Sequence, residues 1–254
     1  MTPVRESHRQ EDNEVRPALL AIVLISLSQS EKISRTQRLN MNSRDLYNKR
    51  QKDFYTELAK SPNPLRAWFH RSRHGEVKQL VTENYQRGDI IVDVGCGNCL
   101  WNTNKLPVVG VDVAQNLVEY AVRQGRVSST LICDVTRIEL PSEYADIVVA
   151  AEIIEHVADS DEALSEIKRI LRKNGKLVVT VPYDTFFSAW RPLFWLHCLL
   201  HGWVFGDEYF RQRCGHVNHF SPQEIRDLLE KHDFSVIKQF TNFRFTIFTL
   251  AQKA

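Results

Sequence analysis

Asp93-Val94-Gly95-Cys96-Gly97 closes an apolar stretch at 90–94, and two later stretches, 108–112 and 131–134, also end in an aspartate. Glycines at 95 and 97 let the backbone turn tightly and approach a ligand with no Cβ in the way. Dinucleotide-binding loops use a similar turn, but there the helix N-terminus must face a pyrophosphate, and no acid is required two residues before the first glycine. An acid at that point suits a ligand with cationic groups. Asp112 stands where a carboxylate can grip both hydroxyls of a ribose, and Asp134 suits an exocyclic amino group. A single aspartate here could be a helix cap or a loop acid. Three in succession place three carboxylates along the carboxyl edge of one sheet, where open α/β sheets bind ligands.

A second constellation is Glu152-Ile-Ile-Glu155-His156, just after the apolar run 147–151. Glu152, Glu155 and His156 could orient a substrate hydroxyl, take its proton, or hold a divalent cation. A plainer role for Glu155-His156 is to cap the following turn. His216 and His219, further on, are also within the range of residue types that serve as bases. Cys96 and Cys99 form a lone CxxC with no second pair to complete a zinc site, so no metal ligand is assigned.

The elements that must position these residues are legible from Gly88 onward. Strand-like runs at 90–94, 108–111, 130–133, 147–151 and 177–181 alternate with helical or loop stretches, as in parallel βαβ units buried on both faces. Asp159 with Glu162, and Ser221 with Glu224, are helix starts of the capping type. Asn174-Gly175 is a stop signal for the first of these helices, and a short helix is expected at 99–106. The closing runs 235–240 and 243–250 alternate as an edge hairpin. Upstream, helices are expected at 45–58 and 66–84, broken by Ser-Pro-Asn-Pro at 61–64.

The segment 184–219 is compositionally distinct. It holds Trp190, Trp195 and Trp203, three of the five tryptophans, with Phe186, Phe187, Phe194, Phe205, Tyr209 and Phe210. It is aromatic nearly all round, which points to a lid over a pocket or an interfacial helix rather than one core stripe. The stretch 17–28 is apolar but too short for a membrane span, and Glu6, Glu11, Asp12 and Glu14 spoil a signal peptide. Residues 1–40 are therefore expected to be a poorly ordered leader before a single domain at 41–254. The composition is that of a globular protein, with 43% hydrophobic and 25% charged residues. The net charge is only +2, yet residues 35–78 carry eleven Lys/Arg against four Asp/Glu. That face is either solvated or suited to an anionic partner. Five cysteines without framework spacing imply a reducing, cytoplasmic setting.

Residues 88–182, with D-x-G-x-G and acids after the second and third strands, resemble the cofactor core of class I S-adenosylmethionine (SAM) dependent methyltransferases. The resemblance implies an α/β Rossmann-like, mostly parallel seven-stranded sheet in the order 3-2-1-4-5-7-6, flanked by helices, with an aromatic helical insert after strand 5. It assigns SAM binding to Asp93, Gly95, Gly97, Asp112 with Val113, and Asp134 with Val135. One departure is Cys99, where the family often has a third glycine. The E-x-x-E-H pattern is similar to the UbiG-type ubiquinone-biosynthesis O-methyltransferases. That likeness implies catalytic roles for Glu152, Glu155 and His156, a divalent cation as an option, and peripheral membrane contact through 186–210. The expected activity is methyl transfer, by O-methylation, to an apolar small-molecule or lipid-like acceptor.

Two other readings compete. Gly95-Cys-Gly-Asn98 with Asp112…Gln115-Asn-Leu-Val118 is similar to wobble-uridine tRNA methyltransferases, and the basic 35–78 region could hold phosphates. Against nucleic acid, the insert is apolar and the total charge is near neutral. A non-catalytic SAM-fold binding protein is the third reading, and the intact Asp93, Gly95, Gly97 and Asp112 weigh against it.

Overall fold

Residues 53–185, 188–204, 206, 210 and 215–254 are described by the computed structural model. The expected leader with its apolar stretch, the start of the helix expected at 45, and Phe186, Phe187, Phe205 and Tyr209 lie outside the described residues. Helix α1 (Phe54–Ala59) precedes α2 (Pro64–Asn84). Pro64 opens α2 and the Asn63 carboxamide oxygen accepts from the Arg66 N–H, satisfying one of the free donors of its first turn.

The chain then lays down β1 (Ile91–Val94), β2 (Val108–Val111), α3 (Gln115–Arg123), β3 (Ser129–Leu131), β4 (Ala145–Ala151), α4 (Ser160–Ile170) and β5 (Leu171–Pro182). Helix α5 (Trp190–Leu199) runs into a π-helical turn (Leu200–Val204), and α6 (Pro222–Lys231), β6 (Phe234–Asn242) and β7 (Thr246–Lys253) complete the order. The seven strands form one sheet, β3-β2-β1-β4-β5-β7-β6, in which β7 pairs antiparallel with both β5 and β6. This is the order that the resemblance to class I methyltransferases implied. β1 pairs in parallel with β2 and β4 (Asp93 opposite Gly110 and Val149), so the carboxyl ends of β1, β2 and β4 share one edge.

Alternate residues of the central strands enter two apolar layers. Val92, Val94, Val148 and Ala150 face α4 and α6, and Ile91, Ile147 and Val149 face α2 and α3. Burial on both faces is why these strands read as continuous apolar runs. The caps form as expected: Asp159 accepts from the Glu162 N–H, and Ser221 and Glu224 make a reciprocal capping box.

Two expectations are corrected. No helix forms at 99–106; the segment is a series of turns. Cys99 (φ 46°) and Lys105 (φ 57°) are left-handed, and the buried Asn102 replaces helical bonds with its own, donating to the Leu106 and Arg126 carbonyls and accepting from the Leu106 N–H. Helix α4 stops at Ile170 rather than at Asn174-Gly175, which lie inside β5. A Cβ on Gly175 would stand 2.8 Å from Leu171 Cγ and 2.9 Å from the Arg172 carbonyl oxygen, so the glycine serves a tight backbone approach, not a helix end.

Candidate active site

The three strand-end aspartates lie along the carboxyl edge of β1, β2 and β3. Asp112 ties β2 to the glycine loop: Oδ2 accepts from the Gly97 N–H at 2.7 Å and Oδ1 from the Ala114 N–H at 2.8 Å. Burial raises its carboxyl above the usual carboxylate range, opposed by backbone N–H bonds from Ala114, Gly97 and Val113. Gly95 and Gly97 are both left-handed (φ 69° and 50°), and a Cβ on Gly95 would stand 2.7 Å from the Ile153 side chain. The glycine thus lets the loop after β1 close against the turn after β4. Asp134 accepts from the backbone and hydroxyl of Thr136, and Val135 is buried beside it.

Asp93 is enclosed rather than open. It is buried, its Oδ2 accepts from the Trp101 indole N–H at 2.8 Å, and the Cys99 thiol donates to it as well. Burial pushes its carboxyl up to about 7 although both bonds oppose the shift. The cysteine at the third-glycine position therefore helps to cage the acid. Both thiols of the CxxC are buried and pushed upward, chiefly by burial.

Beyond β4, Glu152, Glu155 and His156 diverge. Glu152 has a left-handed backbone (φ 56°) that turns its side chain to Arg73 Nη1 at 2.9 Å, and its Oε1 accepts from the Thr180 hydroxyl. Glu155 is 1% exposed, and among the described residues neither of its carboxylate oxygens has a hydrogen-bond partner. Burial, reinforced by the nearby Glu152, pushes it well above the usual carboxylate range. His156 lies 3.7 Å from Glu155 and is pushed down to about 4, first by burial, with Gly215's backbone opposing. His216 joins them edge-to-face at 4.8 Å from the His156 ring, and Trp190 and Phe194 stack parallel to it. Ligand atoms of Glu155, His156 and His216 all lie within 4.8 Å of one another, a spacing that a cation could use.

Several residues of the site were not singled out in the sequence. His70, Arg73 and His74 share one face of α2, and among the described residues His70 Nδ1, Arg73 Nε and His74 Nε2 are buried with no hydrogen bond. Burial and neighbouring Arg73 push His70 down to about 3 and His74 well below its usual value. Their signal was present: they interrupt the buried stripe that Ala67, Val77 and Val81 mark at helical spacing. Asp184 and Trp101 had no local signal, because their partners are distant in the chain or follow an unexpected turn.

The strap 215–220 covers the turn after β4. Backbone N–H groups of Val217 and Asn218 donate to the Glu155 carbonyl, and the Asn218 amide donates to the carbonyls of Ile154 and Val157. The insert splits between two environments. Trp190 and Cys198 are buried, while Leu193, Trp195, Leu196, Leu199, Leu200, Trp203 and Val204 are exposed. No helix among the described residues is long and apolar enough to cross a membrane.

Residues 92–179 match the family of methyltransferase domains. Over 72 residues the chain is 33% identical to a ubiquinone/menaquinone biosynthesis C-methyltransferase UbiE of Paraburkholderia phymatum, covering 28% of each chain. Over 114 residues it is 27% identical to a malonyl-[acyl-carrier protein] O-methyltransferase of Yersinia pestis, covering 42% of this chain and 43% of the relative. The matched stretch thus spans under half the length of these relatives. A SAM-dependent methyltransferase from Aquifex aeolicus has the same fold, with TM-score 0.56, 16% identity, and coverage of 81% of this chain and all of that one. The [4+2]-cyclase SpnF shares it too (TM-score 0.54, 15% identity, 70% and 80% covered), so the fold alone does not fix the reaction. The molecule has the Rossmann-like fold of the SAM-dependent methyltransferases.

Proposed function

We propose that the protein is a SAM-dependent methyltransferase that acts on an apolar small-molecule or lipid-like acceptor, by O-methylation. The observation that carries this reading is Asp112. Its carboxylate is held at the end of β2 by backbone N–H groups, among them Gly97 to Oδ2 and Ala114 to Oδ1, beside the glycine loop, an orientation that suits a ribose hydroxyl. Asp134, two strands from Asp93, is at the matching place for the adenine amino group, with Val113 and Val135 beside these acids. Asp93 supports the glycine loop through Trp101 rather than offering an open carboxylate. The methyltransferase-domain match over 92–179 supports the same cofactor.

On the acceptor side, Glu152 acts as an anchor through Arg73, while Glu155 and His156 lie buried beside His216. The aromatic face of Trp190 and Phe194 over His216 favours a flat, apolar acceptor. The exposed apolar side of α5 favours peripheral membrane contact. A divalent cation held by Glu155, His156 and His216 is a second option, favoured by their spacing and by Glu155 oxygens that have no hydrogen bond among the described residues. The cation would supply Lewis-acid polarisation of an acceptor oxygen.

Calorimetric titration with SAM tests the cofactor, and transfer of radiolabelled methyl from SAM into the organic-soluble fraction of a cell extract tests the acceptor class. Saturable heat and label in that fraction are expected. Absence of SAM binding would remove the reading, and label confined to RNA would replace the acceptor.

A further inference from the structure

The residues first suited to take a proton are poorly placed for it. Glu152 is held in an ion pair with Arg73, and His156 is buried. Asp184, at the end of β5, offers a different arrangement. Its side chain is 4% exposed, and its Oδ2 meets Nδ1 of His219, whose own side chain is 50% exposed. The other oxygen, Oδ1, has no hydrogen bond among the described residues, with Arg191 Nε at 3.9 Å.

An ionised carboxylate only accepts, so the contact requires the proton on Nδ1 and leaves the lone pair of the neutral ring on Nε2. The dyad is rigidly seated. Asp184 N–H donates to the Phe220 carbonyl, Tyr183 bridges to Phe220, and the adjacent Asn218 is bonded to Ile154 and Val157 in the turn after β4. Strand β4 neighbours β1, so His219 stands at the same sheet edge as the glycine loop. Among the described residues, the charged and titratable groups near it are Asp184 just after β5, Arg191 from α5, which approaches Asp184, and His216 from its own strap.

Resting on the methyltransferase reading, we propose that His219 is the general base that removes the acceptor's hydroxyl proton, with Asp184 as its positioning residue. The hydroxyl proton passes to His219 Nε2, and the oxygen's electron pair forms the new O–CH3 bond. Bound SAM supplies the methyl carbon, its S–CH3 bond breaking with the electron pair returning to sulfur. The Asp184 carboxylate stabilises the imidazolium that forms, without itself taking the proton.

The test follows the His219 ring by NMR in 15N-histidine-labelled full-length protein, free, with S-adenosylhomocysteine, and with SAM. The expected result is an Nδ1–H tautomer in the neutral ring. A base facing the methyl group also feels the sulfonium charge, so the His219 ring 15N shifts should differ between the SAM and S-adenosylhomocysteine complexes. His232, which pairs with Asp161 on α4, is the control and should not move. Asp184→Ala should remove the Nδ1–H preference of the His219 ring while SAM still binds. SAM binding with identical His219 ring 15N shifts in the two complexes, or an Nε2–H tautomer, would overturn the base assignment alone. Absence of SAM heat in calorimetry would instead sink the methyltransferase reading on which it rests.

Discussion

Asp112 concentrates the cofactor argument in one side chain. Its oxygens accept from backbone N–H groups that include Gly97 and Ala114, which fix the carboxylate where a ribose hydroxyl would donate to it. Asp112→Ala is expected to weaken SAM binding by about 1.5–3 kcal/mol, read by calorimetry, and unchanged affinity would remove the ribose role. The buried histidines give a second prediction, in the free protein. His70 and His156 have folded values near 3 and near 4, below the ordinary 6.5, so the stability of their neutral forms is complete above about 6.5 and is lost as pH falls toward those values. Asp93, raised to about 7, acts with the opposite sign, adding stability as pH falls from about 7 toward 3.8. His156→Gln should therefore flatten the fall of Tm between pH 6.5 and 4. The change corresponds to roughly 2–3 kcal/mol at the acid end. An unchanged slope would mean that His156 is not held neutral.

Among the elements, the β6–β7 hairpin stands out because Phe243 and Arg244 are both left-handed, at φ 48° and 61°. The three-residue loop 243–245 thus opens with two consecutive left-handed residues, a conformation that costs energy for any residue with a Cβ. The turn lies beside the carboxyl end of β5, where Phe243 meets Trp68 of α2 edge-to-face and Arg244 lies over the Tyr183 ring. Arg244→Gly should relieve about 1 kcal/mol of backbone strain and lose about 0.5 kcal/mol of cation–π contact, for a small net gain in urea midpoint. A loss of stability would show that the Tyr183 contact outweighs the strain. The alternation of 243–250 suggested a strand starting at Phe243; the structure starts it at Thr246, because the register is set by the turn.

At the scale of the whole molecule, α5 divides a polar interior from an apolar exterior. Trp203 is 72% exposed and Val204 67%, with Leu196 and Leu199 beside them on the same segment. Such a patch is larger than scattered surface apolar residues require. Replacing Trp195 and Trp203 by Ser is expected to abolish cosedimentation with anionic liposomes while changing Tm little. A large fall in Tm with liposome binding intact would make the insert a core element. The cation option is checked separately: activity that survives exhaustive chelation would remove it, and loss restored by Mg2+ or Mn2+ would support it.

The sheet was legible in the sequence because strands buried on both faces must be apolar throughout, and the two capped helices because Asp159 and Ser221 satisfy donors within their own first turns. The three strand-end aspartates and the glycine loop were legible for the same reason: their spacing is local. The surroundings of the acids were not. Trp101 reaches Asp93 only because the expected helix at 99–106 is a set of turns, a choice made by left-handed Cys99 and Lys105 and by Asn102's bonds to Leu106 and Arg126. Arg73 neutralises Glu152 across 79 residues of chain, and Asp184 meets His219 across 35. Local patterning fixes which residues stand at a sheet edge. Which of them are buried, paired or left with a free lone pair depends on contacts between distant segments, and only the packed fold decides those.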